Sequence, residues 1–323
     1  MLSWVAAVSF VASLAVVRVL LSRLSRFALD QPNARSLHER PVPRTGGIGV
    51  LVGAAMALAL GGAVLWLPLL LALGLAIVSF MDDLSGLSSA LRFTAHLAAA
   101  STLVWYVLSP MNLLAMLALV LAVTWITNLY NFMDGSDGLA GGMAIAGFGA
   151  YAVAAHLAGN APLAVTSVSL SAAALGFLVY NFHPARIFMG DVGSIPLGFL
   201  AAALGLLGWR DDSWPLWFPV LVFGPFIGDA TITLMKRLAR REKVWQAHRE
   251  HYYQRIVRMG FGHRGAALIA YGAMLACAAA ALLGRTQPPA QQALAFAAGS
   301  ALLAGLAVWV DRRWAKQTGS EPG

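Results

Sequence analysis

Long apolar runs separated by short polar interruptions dominate the chain, and each run is close to the length of a membrane crossing. With about 20 apolar residues needed per helical span, the runs predict helices near 2–21, 46–65, 66–81, 93–108, 111–130, 140–157, 162–180, 195–209, 215–235, 265–283 and 290–310. The least marked turns are Leu65 to Pro68 and Ser109 to Met111, where a proline and very few polar residues separate two runs. The expected fold is an all-α polytopic membrane protein of about eleven transmembrane helices, with ten as the alternative.

Composition agrees with the pattern: 59% of residues are hydrophobic and 11% charged, against about 25% charged in a soluble domain. Mean hydropathy is +0.72. The first run begins at Leu2, contains Arg18 and is followed by Arg23 and Arg26; without a basic leader or an A-x-A cleavage site it reads as a retained span. Cys277, the only cysteine, lies in an apolar run and leaves no intramolecular disulfide. Of the 22 Lys and Arg, all but Arg18, Arg210 and Arg285 fall in loops of one side, which the positive-inside rule makes cytoplasmic. The N-terminus is then periplasmic and the C-terminus cytoplasmic. The predicted organisation is one multi-span catalytic domain over 1–312, with cytoplasmic loops near 22–45, 82–92, 131–139, 181–194 and 236–264, and a short polar cytoplasmic tail over 313–323.

Four polar motifs break the apolar pattern: Met81–Asp83, Asn128–Gly138, Phe188–Ser194 and His248–His251. All fall on the predicted cytoplasmic side, with the Pro-rich loop Asp30 to Arg44 and the basic segment Lys236 to Arg264. A secondary transporter of a phosphorylated metabolite would place ionisable residues near the midplane, often in repeated halves. No internal repeat stands out, and only Asp229 sits well inside a span. A net charge of +8, concentrated on one face, attracts phosphates. The layout favours an enzyme acting at the membrane surface on an anionic substrate over that transporter or a noncatalytic membrane scaffold.

Asp82 and Asp83 close a helix at its C-terminus, where the macrodipole disfavours negative charge; they call for a cation or form an ordinary turn. Arg92 is placed to neutralise them, to hold a phosphate, or to mark the inner border. Asn128, Asn131, Asp134 and Asp137 recur every three residues and would be neighbours on a helix, ended by Gly135 and Gly138. Such a density of oxygen donors suits Mg²⁺, which takes few carboxylates and keeps waters and substrate phosphates. Asp191, between Gly190 and Gly193, reads either as a helix cap or as part of an ion site at a helix start. His248 and His251 are one turn apart in a basic amphipathic segment with Arg249, Arg255 and Arg258; such a segment binds lipid headgroups or a diphosphate, and H-x-x-H alone is weak evidence for zinc.

Together the motifs resemble the polyprenyl-phosphate N-acetylhexosamine-1-phosphate transferases. The likeness runs from about Asp30 to Arg264. Asp30-Gln-Pro-Asn-Ala-Arg-Ser-Leu-His38 with Pro43-Arg-Thr-Gly-Gly47 is similar to the family's first cytoplasmic loop. Asp82-Asp83 is similar to its acidic pair, Asn131 to Gly138 to its central motif, and Asn181 to Ser194 to its metal-site loop. The resemblance implies Mg²⁺, with Mn²⁺ as a substitute, and transfer of a sugar phosphate from a UDP-N-acetylhexosamine to undecaprenyl phosphate in the bacterial inner membrane. The sugar it implies is GlcNAc or a 6-deoxy relative such as QuiNAc or FucNAc, and the product would initiate O-antigen or another cell-envelope polysaccharide. Membrane lipids are further partners, a homodimer stays open, and no nucleic acid is expected.

Carried over residue by residue, the resemblance makes Asp191 and Asn131 metal ligands, Asp82 and Asp83 the handlers of the lipid phosphate, and Asp134 and Asp137 substrate-site acids, with His248 in the catalytic set. Asn181 and Phe188 fall at the uridine; Arg44, Arg92, Asn128, Arg249 and His251 are assigned to substrate binding. Two departures stand out: the histidine motif is the looser His248-Arg-Glu-His251, and Arg92 replaces an expected lysine. Pro43-Arg-Thr-Gly-Gly47 argues against muramoyl-pentapeptide transfer. The expected chemistry is direct attack of the lipid phosphate on the β-phosphorus of the UDP-sugar, releasing UMP; a covalent aspartyl-phosphate route is the alternative.

Overall fold

The computed structural model describes residues 1–23, 28–30, 37, 41–61, 65–109, 111–244, 246 and 248–319. Arg26, half of the expected first-loop motif (31–36 and 38), Pro110 of the predicted Ser109–Met111 turn, and 320–323 of the predicted tail lie outside them. The described chain is helical almost throughout: α1 Leu2–Arg23, α2 Gly46–Gly61, α3 Trp66–Ser85, α4 Ser89–Leu108, α5 Leu113–Phe132, α6 Leu139–Leu157, α7 Ala161–Asn181, α8 Asp191–Arg210, α9 Trp217–Val222, α10 Gly224–Ala239, α11 Tyr252–Ile256, α12 Gly262–Gly284 and α13 Pro289–Thr318. Two short strands, β1 Leu29–Asp30 and β2 Val42–Pro43, pair antiparallel in the first loop.

Eight helical segments among the described residues are long and apolar enough to cross a membrane, α11 to α12 counting as one; α2 is a shorter apolar helix. The protein is thus an all-α polytopic membrane protein, as the pattern predicts. Three details differ from expectation. The run 215–235 is not one helix but breaks at Phe223 between α9 and α10, where Gly224 and Pro225 follow; proline lacks the amide that would continue the ladder. The run near 195–209 starts earlier, at Asp191, and α13 continues through Thr318 into the predicted tail.

The core is built around α8, every residue of which from Val192 to Gly208 is buried. It packs against α3, α5 and α2, while α1, α2, α6 and α7 form the neighbouring layer. Apolar side chains also cover the outside, for example Leu113, Leu114 and Leu121 on α5, which suits a lipid surround. Without a hydrophobic drive between helices in lipid, close backbone packing supplies the association. Gly176 shows it: a Cβ there would stand 2.5 Å from the Phe10 carbonyl oxygen of α1.

Gly176→Val should therefore destabilise the α1–α7 contact by about 1–3 kcal/mol, the usual cost of overpacking. Thermal unfolding in detergent checks this; an unchanged midpoint would show that α1 is not seated as described.

Candidate active site

Two loops far apart in sequence lie side by side and set the site. The Phe188 amide donates to the Pro43 carbonyl at 2.7 Å, and the Gly46 and Gly47 amides donate to the Phe188 and Met189 carbonyls at 2.9 Å each. Gly190 makes the approach feasible: its φ is 71°, and a Cβ would fall 2.1 Å from the Arg44 carbonyl oxygen. Gly190 also occupies the N-cap position of α8, so Asp191 is the first helical residue and not the cap. The Asp134 carboxylate accepts the Gly190 N–H, which ties the α5–α6 turn to the same place.

These segments and the α10–α11 linker enclose a cavity of about 430 Å³, within the size range of small-ligand sites. Of the residues predicted for the site, Arg44, Arg92, Asn131, Asp134, Phe188, Asp191, His248 and His251 line it. Asp82 and Asp83 stand behind the arginines. Asp82 Oδ2 lies 2.8 Å from Arg92 Nη1 and its Oδ1 accepts the Leu87 amide at 2.7 Å, while Asp83 pairs with Arg44 at 3.3 Å. Arg92 also approaches Asp191 at 4.0 Å. Both arginines keep a buried Nε without a hydrogen-bond partner among the described residues.

Asp134 opens partly onto the cavity, yet protein displaces most of its water. That desolvation, reinforced by the charge of Asp191, pushes its carboxyl well above the usual carboxylate range. His248 moves the other way, down to about 4, through burial and then the neighbouring His251 and Arg237. Its Nδ1 accepts the Glu250 amide at 3.3 Å, so the neutral ring carries its proton on Nε2 as a donor.

The three-residue ladder does not persist, because α5 ends at Phe132 and leaves Asp134 and Asp137 in a turn. Asn128 faces α4, with its Oδ1 3.2 Å from His96 Nδ1 and its amide donating to the Thr124 carbonyl at 2.7 Å. Asn181 is buried and braces the backbone, accepting the Gly138 amide at 3.0 Å and donating to the Ile187 carbonyl at 2.9 Å. Arg249 is not among the lining residues; its carbonyl accepts from Arg258 at 3.2 Å. Asp137 is buried between two histidines, 2.7 Å from His183 Nδ1 and 3.7 Å from His263 Nδ1. Sequence reasoning passed over His263, which also contacts Ser136 at 2.9 Å, and over Tyr253, which lines the cavity and donates to the Phe132 carbonyl at 3.2 Å. A histidine immediately before an apolar run, as at His263, was the available signal. His248 and His251 precede α11 and so are not on one helical turn, though their rings stand 4.8 Å apart.

Among the described residues no group of three or more His, Cys, Asp or Glu is placed to share a metal ion. The cavity does offer oxygen donors: the carboxylates of Asp134 and Asp191, and Asn131 Oδ1, which accepts the Ser194 hydroxyl at 2.8 Å and retains a lone pair. This all-oxygen set with two mutually repelling acids fits a hard divalent cation that keeps waters and phosphates as its other ligands.

Fold and cavity together define a polytopic membrane protein with a polar, phosphate-compatible site. Residues 65–209 match the profile of glycosyl transferase family 4. A probable undecaprenyl-phosphate N-acetylglucosaminyl 1-phosphate transferase of Bacillus subtilis (strain 168) is 30% identical over 288 residues, covering 82% of this chain and 80% of the relative. The decaprenyl-phosphate N-acetylglucosaminephosphotransferase of Mycobacterium tuberculosis (strain H37Rv) is 32% identical, covering 79% of this chain and 74% of that one. A phospho-N-acetylmuramoyl-pentapeptide-transferase of Shouchella clausii is 33% identical over 51% of this chain and 60% of its own. The chain belongs to glycosyl transferase family 4, the polyprenyl-phosphate N-acetylhexosamine-1-phosphate transferases, and is a phosphoglycosyltransferase.

A raised carboxyl favours the fold only while protonated, so its contribution is present at acid pH and lost as pH rises past the ordinary carboxylate range. Asp134→Asn should therefore stabilise the metal-free protein at pH 8. The gain should shrink toward pH 4, and activity should be lost. Thermal unfolding with EDTA across pH is the measurement; a variant less stable than the parent at pH 8 would contradict this electrostatic assignment.

Proposed function

We propose that the protein transfers an N-acetylhexosamine-1-phosphate from a UDP-sugar to undecaprenyl phosphate, releasing UMP, at the cytoplasmic face of the bacterial inner membrane. The observation that carries this reading is the single cavity in which Arg44 and Arg92 face the acids Asp134 and Asp191. GlcNAc is the leading sugar, with QuiNAc and FucNAc beside it, and O-antigen or another envelope polysaccharide is the downstream polymer. The comparisons support N-acetylglucosamine over muramoyl-pentapeptide: the relatives named for the former match over 82% and 79% of this chain, two named for the latter over 51% and 62%. Most Lys and Arg lie in the loops assigned to one side, which supports a cytoplasmic site.

In this reading an oxygen of the lipid phosphate bonds to the β-phosphorus while the bond to the UMP oxygen breaks, the electron pair leaving with UMP. Arg44 and Arg92 hold phosphate oxygens, and Asp83 and Asp82 keep these guanidiniums in place from behind. His248 Nε2–H donates a further hydrogen bond. Asn131, Asp134 and Asp191 would hold Mg²⁺, or Mn²⁺ in its place, which when bound neutralises charge on the diphosphate and the leaving group. Phe188 offers its ring to the nucleotide at the cavity wall.

Purified protein with undecaprenyl phosphate, Mg²⁺ and a panel of UDP-sugars should release UMP, most readily with UDP-GlcNAc. Because Asp191 is not the helix cap, Asp191→Asn should insert normally yet lose activity by about 100-fold, the scale of an electrostatic catalytic contact, with a raised Mg²⁺ requirement. Near-normal turnover at low Mg²⁺ would remove Asp191 from the metal set. Cysteines at the exposed positions Ser88 and Arg186 should be labelled from the cytoplasm and one at Asp211 from outside; labelling Ser88 and Arg186 from opposite sides would end the one-site reading.

A further inference from the structure

Asp229 is a carboxylate within α10, nearly enclosed, with 9% of its side chain exposed. Its Oδ1 accepts the Tyr252 amide at 2.9 Å and the Thr233 hydroxyl at 3.3 Å, and its Oδ2 accepts the Tyr253 amide at 2.9 Å. The remaining neighbour is the His251 ring, whose Nδ1 stands 3.1 Å from Oδ1. Holding backbone amides explains only part of this arrangement, because an ionised carboxylate accepts and never donates. A hydrogen bond across this contact therefore requires the His251 proton on Nδ1. The ring is also stacked on Tyr253, with centroids 5.8 Å apart and planes 16° apart. His251 lines the cavity shared with Asp134 and Asp191, so Nε2 is the polar atom left for a ligand.

We propose that Asp229 is a positioning residue for the transfer reaction: it fixes the Nδ1–H form and orientation of His251, so that Nε2 meets the substrate phosphate as a proton acceptor. The pairing complements His248, whose Nδ1 is occupied by the Glu250 amide and whose Nε2 is a donor. One ring thus offers a hydrogen and the next a lone pair, 4.8 Å apart by centroid. A phosphate monoester that still carries one proton matches this pair: it gives its O–H to His251 and accepts from His248. On nucleophilic attack the proton passes to His251 Nε2, and it leaves with the departing phosphate monoester. The Asp229 carboxylate stabilises the imidazolium in between, as an acid behind a histidine does in other enzymes.

This inference rests on the transferase reading for its chemistry, but its structural half is tested separately. In ¹⁵N-histidine-labelled wild-type protein studied by solid-state NMR, with His251 assigned through its loss in His251→Gln, the neutral ring should carry its proton on Nδ1. A neutral ring protonated on Nε2 would overturn the proposal whether or not any Asp229 variant folds. In kinetics, Asp229→Asn should lower kcat by about tenfold or more, leave KM for the UDP-sugar within about threefold, and have no further effect in a His251→Gln background. Losses that add in the double variant would assign Asp229 to bracing α11 alone. Failure of the wild-type protein to release UMP would sink the transferase reading while leaving the tautomer measurement to decide the Asp229–His251 relation.

Discussion

The backbone pairing of Pro43–Gly47 with Phe188–Gly190 is the contact on which the site depends. It joins the first loop to the start of α8, the most enclosed helix of the bundle, and so gives Arg44 and Asp191 a common rigid base. Gly190 is indispensable to it, since any side chain there would collide with the Arg44 carbonyl. The Gly190 amide then serves Asp134, which brings the α5–α6 turn to the same point. Three segments of sequence meet through one short stretch of main chain.

Electrostatics explain why those segments carry the residues they do. A bundle in lipid cannot bury lone charges cheaply, and the buried or half-buried acids among the described residues are paired with bases or collected at the cavity. Asp82 and Asp83 are spent on holding Arg92 and Arg44, so the groups presented to a ligand are the guanidiniums. Asp134 and Asp191 are the counter-case: two acids close enough to raise one carboxyl, without an ion-pair partner for Asp134 among the described residues. Their mutual repulsion is what a divalent cation would relieve. Farther out, Arg237 and Arg240 grip Glu250 and Glu242 and steady the linker that carries His248 and His251.

The sequence made the helices legible because lipid demands long apolar runs, and it exposed the motifs because polar residues are scarce among them. Asn131, Asp134 and Asp191 could be singled out for that reason. What it hid was partnership. Asn181, expected at the uridine, is buried and bonded to the Gly138 and Ile187 backbone, which no sequence spacing reveals. Asp137 meets His183 and His263, which no local spacing connects. The break between α9 and α10 was also missed, since Gly224 and Pro225 lie inside an apolar run whose length alone satisfied a span. Asp229 was visible as the one acid well inside a span, while its partner His251 lies 22 residues on.

The most direct test of the whole account is where a divalent ion binds. Crystals of the protein grown with Mn²⁺ and UDP, examined by anomalous scattering, should show one Mn²⁺ peak contacting Asp191, Asp134 and the Asn131 amide oxygen, with the diphosphate between it and the arginines Arg44 and Arg92. A Mn²⁺ peak bound instead by Asp82 and Asp83, or at the His183–Asp137–His263 cluster, would contradict it.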